Sequence, residues 1–337
     1  MHVMLKRTIA AFTMAALFLA TACAGPDQAG NENQNADAPV TATLAGGSPT
    51  GMLFLVCSGV SECVGRSYPG SSITIVPGGV AANVIRISNG EVDAGMAHSA
   101  MLFAAADGLA PYDEVLDNTA TIAGLYPSTY QIIMKEELGV SSFGEIIEKK
   151  MKVRISIDQP GSSTAVAFER LLTQYGVDRM EFEAWGGSIL QKNQEDSASM
   201  LRDGLIDGYA MQTLCPARSI QENEVGNELV MLAIEPDIIT GMIDDFGYAP
   251  TVIGKGVYGF MISDIDTFYT STVLTVPADA SEELAYKLAR SLVENLDYLR
   301  QIHIGLSDLT PLSMTQDLGA PLHPGAEKYY REIGILD

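Results

Sequence analysis

Short apolar runs and amphipathic stretches take turns along residues 41–128, and the same order returns over 153–213. The runs at 41–45, 73–76 and 92–96 predict strands. Segments 52–64, 80–88 and 100–106 carry apolar residues at helical spacing and predict helices. Asn89-Gly90 stops the second of these helices with residues that tolerate a left-handed cap. Strands at 119–125 and 131–135 follow, and Tyr126-Pro127-Ser128 between them is a candidate crossing point. The second series predicts strand 153–157, helix 165–175, strand 180–184, helix 196–202 ending at Asp203-Gly204, and strand 208–211. Residues 213–268 are less regular. Residues 272–276, before Pro277, read as a returning strand. Residues 282–300 read as one long amphipathic helix, opened by Asp279 and Ser281 with acids in its first turn.

The two series are one pattern written twice. Residues 73–99 and 181–213 both run strand, Gly-Gly, helix, glycine stop, aspartate and strand. Residues 41–51 and 153–164 both run a strand into a Gly/Ser/Pro turn before a helix. This predicts an α/β protein of two lobes facing each other, each a mostly parallel sheet flanked by helices. Lobe I is expected to be discontinuous, 41–128 plus 277–337, with 129–276 as lobe II. Two crossing strands between them permit a hinge motion that closes a cleft on a ligand.

A chain of 337 residues fits two domains, and a hydrophobic content of 47% supplies sizeable cores. At the amino end, Lys6 and Arg7 precede an apolar run that is short for a membrane span and closes on Leu19-Ala20-Thr21-Ala22-Cys23. This is similar to a bacterial lipoprotein signal, so 1–22 is expected to be removed and Cys23 lipidated. Residues 24–40 are polar with few large apolar groups, the composition of a flexible tether with a reach of roughly 20–25 Å. The expected location is extracytoplasmic, held to a membrane through Cys23.

The formal charge is −22, and without 1–22 it becomes −24 because Lys6 and Arg7 leave and no acid does. Nucleic acid and anionic membrane surfaces are poor partners for such a surface. Cys57 and Cys63 lie roughly 600° of helical rotation apart and face different ways, so these two and Cys215 are read as small core residues.

In an open α/β sheet, ligands sit beyond the carboxyl ends of the strands, and helix amino ends there favour anions. Gly46, Gly47, Ser48 and Thr50, with Gly78 and Gly79, supply such turns in the first lobe. Gly161, Ser162, Ser163 and Thr164, with Gly186, Gly187 and Ser188, supply them in the second. Asn83 either supports the Gly78-Gly79 loop or is an exposed polar residue. Ser99, next to His98, either donates to a ligand or caps a helix. Tyr126 and Trp185 are candidates to wall the pocket, Trp185 alternatively filling a core, and Gln212-Thr213 end the strand equivalent to the one before Ser99. Asp93 and Asp207 recur at matching positions, with a turn or register role. The histidines show no metal-ligand spacing, and no nucleophile elbow or phosphate loop is present. A binding protein without catalytic residues, metal or cofactor is expected.

These pieces resemble the TAXI class of TRAP-transporter solute receptors from residue 41 to the carboxyl end. The likeness is carried by residues 72–99, Ala123-Gly124-Leu125-Tyr126-Pro127, and Gln159-Pro160-Gly161-Ser162-Ser163-Thr164. Asp203-Gly204-Leu205-Ile206-Asp207 and Thr275-Val276-Pro277-Ala278-Asp279 add to it. The resemblance implies a two-lobed type II periplasmic-binding-protein fold that closes on an organic acid or acidic amino acid, such as glutamate or 2-oxoglutarate. It implies delivery to a TRAP membrane permease. Presentation to a membrane sensor kinase is the alternative. This chain departs from the class at Pro49-Thr50-Gly51-Met52-Leu53, where a second glycine pair and an aromatic pair are common. It departs again at Thr213-Leu214-Cys215, where a glycine usually precedes the proline.

Overall fold

The computed structural model describes residues 38–49 and 51–337. The signal, Cys23 and most of the tether fall outside the described residues, as does Thr50. In chain order the elements are β1 (Thr41–Ala45), α1 (Met52–Ser67), β2 (Ser72–Val76), α2 (Val80–Ser88), β3 (Ala94–His98), α3 (Ser99–Ala106), β4 (Ala120–Lys135) and α4 (Phe143–Glu148). There follow β5 (Arg154–Ser156), α5 (Ser163–Gln174), α6 (Arg179–Ala184), β6 (Ser188–Leu190), α7 (Gln194–Arg202), β7 (Gly208–Thr213) and α8 (Arg218–Asn223). The chain ends with β8 (Leu229–Met231), α9 (Pro236–Phe246), β9 (Ala249–Ile253), β10 (Ile265–Val276), α10 (Glu282–Glu294), α11 (Leu296–Ile302) and α12 (Pro324–Glu332).

One ten-stranded sheet runs through both lobes in the order β2-β1-β3-β10-β4-β7-β5-β6, with β8 on β4 and β9 on β10. Strands β1, β2 and β3 are parallel, as are β5, β6 and β7. The long antiparallel pair β4 and β10 joins the two sets. The last part of β10 lies between β3 and the first part of β4. The last part of β4 carries β7 and β8, and the first part of β10 carries β9. The expected pause at residues 126–128 is therefore not a break, and β4 is continuous through Pro127. The proline is tolerated because one edge of the strand is still unpaired there, β7 joining only at Thr129.

Helices cover both faces. In lobe I, α1, α10 and α12 bury Val56, Val60, Leu288, Leu292 and Tyr330 against Leu44, Met96 and Ile122. Val84 of α2 and Met101 of α3 cover Ala97 and Val273. In lobe II, α4, α5, α6 and α9 bury Phe143, Phe168, Phe182 and Met242 against Ile132 and Ile155. Leu201 of α7 and Ile220 of α8 pack on Ile133 and Met211. Cys57 and Cys63 are free thiols inside the lobe I core, and Cys215 is free and half-buried.

Two expectations are corrected. Residues 180–184 form helix, not strand: Asp178 and Glu181 make a capping box that starts α6. The strand of this unit is β6, three residues long and placed after Gly186-Gly187. The single helix expected over 282–300 is two, divided at Asn295, whose side chain donates to Ser291 O and Ser67 Oγ.

Candidate functional site

The register fixes where the strands end. Strand β3 finishes at His98, paired with Thr272 of β10, which in turn pairs with Tyr126 of β4. Strand β7 finishes at Thr213, paired with Thr129 of β4. Each of the three neighbouring pairs from β3 to β7 is antiparallel, so β3 and β7 run in opposite directions. Their carboxyl ends therefore meet at residues 126–129 of β4. Helices α1 and α5 begin just beyond β1 and β5, so their amino ends come to the same seam from opposite lobes. Both are long enough to present a partial positive charge there. Among the described residues no side chain caps the start of α1.

One face of the sheet is polar at this seam. Residues directly opposite across a ladder share a face, as do alternate residues along a strand. His98, Thr272 and Tyr126 are thus on the same face as Ser128, Tyr130 and Gln212. All six are buried. Ser128 Oγ lies 3.0 Å from Thr272 Oγ1 and 3.5 Å from His98 Nε2. Ser99 Oγ is 2.9 Å from Thr270 Oγ1 and accepts from Ser271 N at 3.0 Å. His98 Nδ1, the Tyr130 hydroxyl and both polar atoms of the Gln212 carboxamide are buried without a hydrogen-bond partner. A buried unsatisfied group costs about 1–3 kcal/mol, so such atoms gathered on one face make it the candidate site. Burial lowers the His98 imidazole to about 4, which keeps it neutral at pH 7. Burial also pushes the Tyr130 phenol well above its usual range.

The two lobes supply this seam by the same construction. Asp93 Oδ2 accepts from Thr43 N at 2.7 Å, and Asp207 Oδ2 accepts from Arg154 N at 2.7 Å, so each aspartate clamps its lobe's first strand, the middle of β1 and the start of β5. Asn83, fourth residue of α2, reaches the end of β1. Ser197, fourth residue of α7, reaches Ser156 at the end of β5 at 2.7 Å. His98 and Gln212 occupy the same position in this scheme, fifth after the clamping aspartate. The equivalent of the Pro77-Gly78-Gly79 bend is then Gln191-Lys192-Asn193, with Asn193 capping α7.

The expected site residues fall into three groups. Ser99, Tyr126, Thr164 and Gln212 are at the seam. Burial raises the pKa of the Tyr126 phenol. Thr164 Oγ1 accepts from Gln212 N at 3.0 Å, taking the place of a β5 carbonyl beyond the end of that strand. Ser163 is buried beside it at the start of α5.

A second group frames the strand ends and hydrogen-bonds within the bends, with Asn83 Oδ1 left buried without a partner. Gly46 N donates to Val76 O at 2.9 Å, and Gly78 N to Gly47 O at 3.4 Å. Asn83 is fully buried and donates to Gly46 O at 2.8 Å and Met96 O at 2.9 Å. A Cβ on Gly78 would lie 2.1 Å from Asn83 Oδ1, so this glycine exists to admit Asn83. Ser162 Oγ caps α5 through Ala165 N, and Ser162 N donates to Gln159 O. Ser48 and Gly161 are exposed, Gly161 at φ +74°, and Gly79 is the N-cap of α2. The expectation that main-chain amides of these glycine bends grip the ligand is thus corrected at Gly46, Gly78 and Ser162, whose N–H groups serve the bends themselves.

Trp185 forms the third group and is a further correction. It follows α6 at the amino end of β6, on the opposite edge of the sheet from the seam. Its Nε1 donates to Met151 O at 3.1 Å and its ring packs on Phe182. Gly186 and Gly187 share that edge. The expected set omits His98, Ser128 and Tyr130. The signal for His98 was legible: it ends the first repeat where Gln212 ends the second.

Elsewhere, a groove of about 550 Å³ lies on lobe II between α9, β9 and β10, lined by Ile239, Ile243, Pro250 and Val252. Among the described residues no helix is long and apolar enough to cross a membrane, and no group of His, Cys, Asp and Glu is arranged to hold a metal ion.

Comparison with known proteins follows this geometry. The model of the NMT1-like family matches residues 44–334. Among solved structures, PhnD1 from Prochlorococcus marinus in complex with methylphosphonate superposes with a TM-score of 0.52 at 12% identity, over 88% of this chain and 100% of that one. The periplasmic binding protein BugD superposes with a TM-score of 0.50 at 14% identity, over 89% and 98%. At these identities the likeness is one of fold, the two-lobed type II architecture of periplasmic binding proteins.

Proposed function

The chain belongs to the NMT1-like family, and on that premise we propose that it is an extracytoplasmic solute receptor. It holds a small organic anion between its lobes and performs no chemistry on it. Lobe I comprises residues 41–128 with the carboxyl-terminal segment, and lobe II the residues between. Strand pairing favours placing the second crossing near Thr272. The delivery partner is a TRAP-type permease, in keeping with the resemblance to the TAXI class, and lipidation at Cys23 keeps the receptor beside it. The fold is shared with PhnD1, which was solved holding methylphosphonate, itself a small anion.

The observation that carries this reading is the set of buried, unpartnered atoms on one face, His98 Nδ1, the Tyr130 hydroxyl and the Gln212 carboxamide, between the amino ends of α1 and α5. None of the three is a cation. The anionic end of the ligand is therefore stabilised by helix amino ends, and its remaining polar atoms by neutral donors and acceptors. A carboxylate that also bears oxo, hydroxyl or amino groups fits, and glutamate and 2-oxoglutarate are the first candidates.

Native mass spectrometry of gently purified protein, followed by calorimetry with a carboxylate panel, tests it. A small acid is expected to co-purify, and Gln212→Ala should weaken its binding by at least about tenfold, the cost of leaving one or two hydrogen bonds unmade. A wild-type protein that carries no acid and binds none at millimolar concentration would refute the reading. Trp185 is badly placed as a fluorescent reporter, so compaction should be followed by scattering.

A further inference from the structure

The bend after β7 belongs to both lobes at once. Its far end is fixed inside lobe II: Ala217 N donates to Tyr258 OH at 2.7 Å, and that hydroxyl bonds to Gln131 Oε1 of β4. Its near end is not. Leu214, two residues after Gln212, is only 2% exposed and is buried with Leu125, Tyr126, Leu306 and Leu309 in the core of lobe I.

The socket that admits it is made by a glycine. A Cβ on Gly305 would lie 2.4 Å from Leu214 Cδ2 and 3.3 Å from Cγ. Gly305 does not have a positive φ, so its backbone would accept alanine; the main obstacle is the leucine, with His303 Nδ1 next at 3.2 Å. The socket is held in place, since Gly305 N donates to His303 Nδ1 at 2.9 Å within the short helical turn Ile304–Leu306.

We propose that Leu214, seated against Gly305, is a positioning residue that ties Gln212 to the relative placement of the lobes. Separation of the lobes draws Leu214 from its socket and moves the end of β7 away from His98. Closure reseats it and sets Gln212 at the seam. Ligand affinity then depends on a contact that the ligand never touches, because only the closed fraction is competent to bind. The inference rests on the receptor reading for its ligand but not for its geometry.

Four proteins separate the cases: wild type, Gly305→Ala, Leu214→Ala and the double variant. The first readout is the ligand-free radius of gyration by small-angle scattering, taken with urea unfolding to confirm folded protein. The second is calorimetry with glutamate and 2-oxoglutarate. Gly305→Ala is expected to enlarge the radius of gyration and weaken the acid that binds best by at least about tenfold, as a fall in the competent fraction requires. The double variant should regain most of both, because the new methyl occupies space that Leu214 has left. That recovery is the signature of a neighbour pair and not of two independent lesions. Should Gly305→Ala fold poorly, Leu214→Ala alone must weaken binding while leaving the Gln212→Ala penalty smaller than in wild type. An unchanged radius of gyration in folded Gly305→Ala, or a double variant no better than the single, overturns the proposal. If neither acid binds wild type while the scattering pattern holds, the socket stands and the ligand reading falls.

Discussion

At the residue scale, Asn83 and His98 show what a sequence discloses and what it withholds. Asn83 could be read as a loop support or as a surface residue, because an asparagine early in a helix serves either role. Its burial is settled by Gly78, which leaves a gap the size of the carboxamide oxygen, and that complementarity exists only after folding. His98 was passed over because a lone histidine beside a helix start is unremarkable until its neighbours are known. Its burial has a consequence in solution. The folded imidazole protonates near pH 4, whereas an unfolded one does so near 6.5. Between these values the unfolded chain binds the extra proton, so stability falls as pH drops from about 6.5 to about 4, by roughly 3 kcal/mol in all. Above pH 6.5 the contribution is complete. Urea unfolding of wild type and His98→Gln across pH 4–7 should show the variant losing less stability over that window. Parallel curves would mean the imidazole is not held neutral.

Elements were legible where they were long and strongly patterned. Strand β1, helix α2 and strand β7 could be placed from apolar spacing and glycine stops. The failure at residues 180–184 has a physical cause. Met180, Phe182 and Ala184 alternate like a strand, but Asp178 and Glu181 satisfy the orphan donors of a helix start, and this local gain decides the outcome. Strand β6 is too short to carry a period of its own, so the second glycine pair was aligned with the wrong end of a strand, and Trp185 with it. The repeated aspartates were read correctly as register devices. They predict an asymmetry between the lobes. Asp93 accepts only a backbone N–H, whereas Asp207 also takes both Nε and Nη2 of Arg154, at 3.1 and 2.6 Å. Burial alone would raise the Asp207 carboxyl, but the Arg154 hydrogen bonds outweigh it and hold it below the usual range. Asp93→Ala should cost about 1 kcal/mol, the worth of one charge-assisted bond, and Asp207→Ala about 2 kcal/mol. The excess for Asp207 should fade as pH falls through its depressed pKa and the carboxylate is neutralised. Equal losses at neutral pH would show that the Arg154 pair contributes nothing beyond the backbone bond.

At the scale of the whole molecule, the architecture follows from patterning but the response to solvent follows from charge. A formal charge of −22 over 337 residues gives a surface that repels itself. The ion pairs of the described residues do little to offset this. Most are neighbours one helical turn apart with at least one exposed side chain, such as Arg218–Glu222 and Arg331–Glu327. Pairs of that kind contribute about 0–1 kcal/mol each and weaken in salt. The two effects oppose one another as ionic strength rises. Screening shortens the Debye length from about 10 Å at 0.1 M to about 3 Å at 1 M, which removes long-range repulsion among many carboxylates and attraction within a few pairs. With acids outnumbering bases 42 to 20, repulsion is the larger sum, so salt should stabilise the protein. Added sodium chloride is expected to raise the thermal midpoint, and an equal ionic strength of a chaotropic salt should give a smaller rise. The same screening should quicken association with an anionic ligand, since that ligand must approach through a field of its own sign. A midpoint that stayed level or fell would mean the short-range pairs govern, and would remove the reason to expect faster ligand capture in saline.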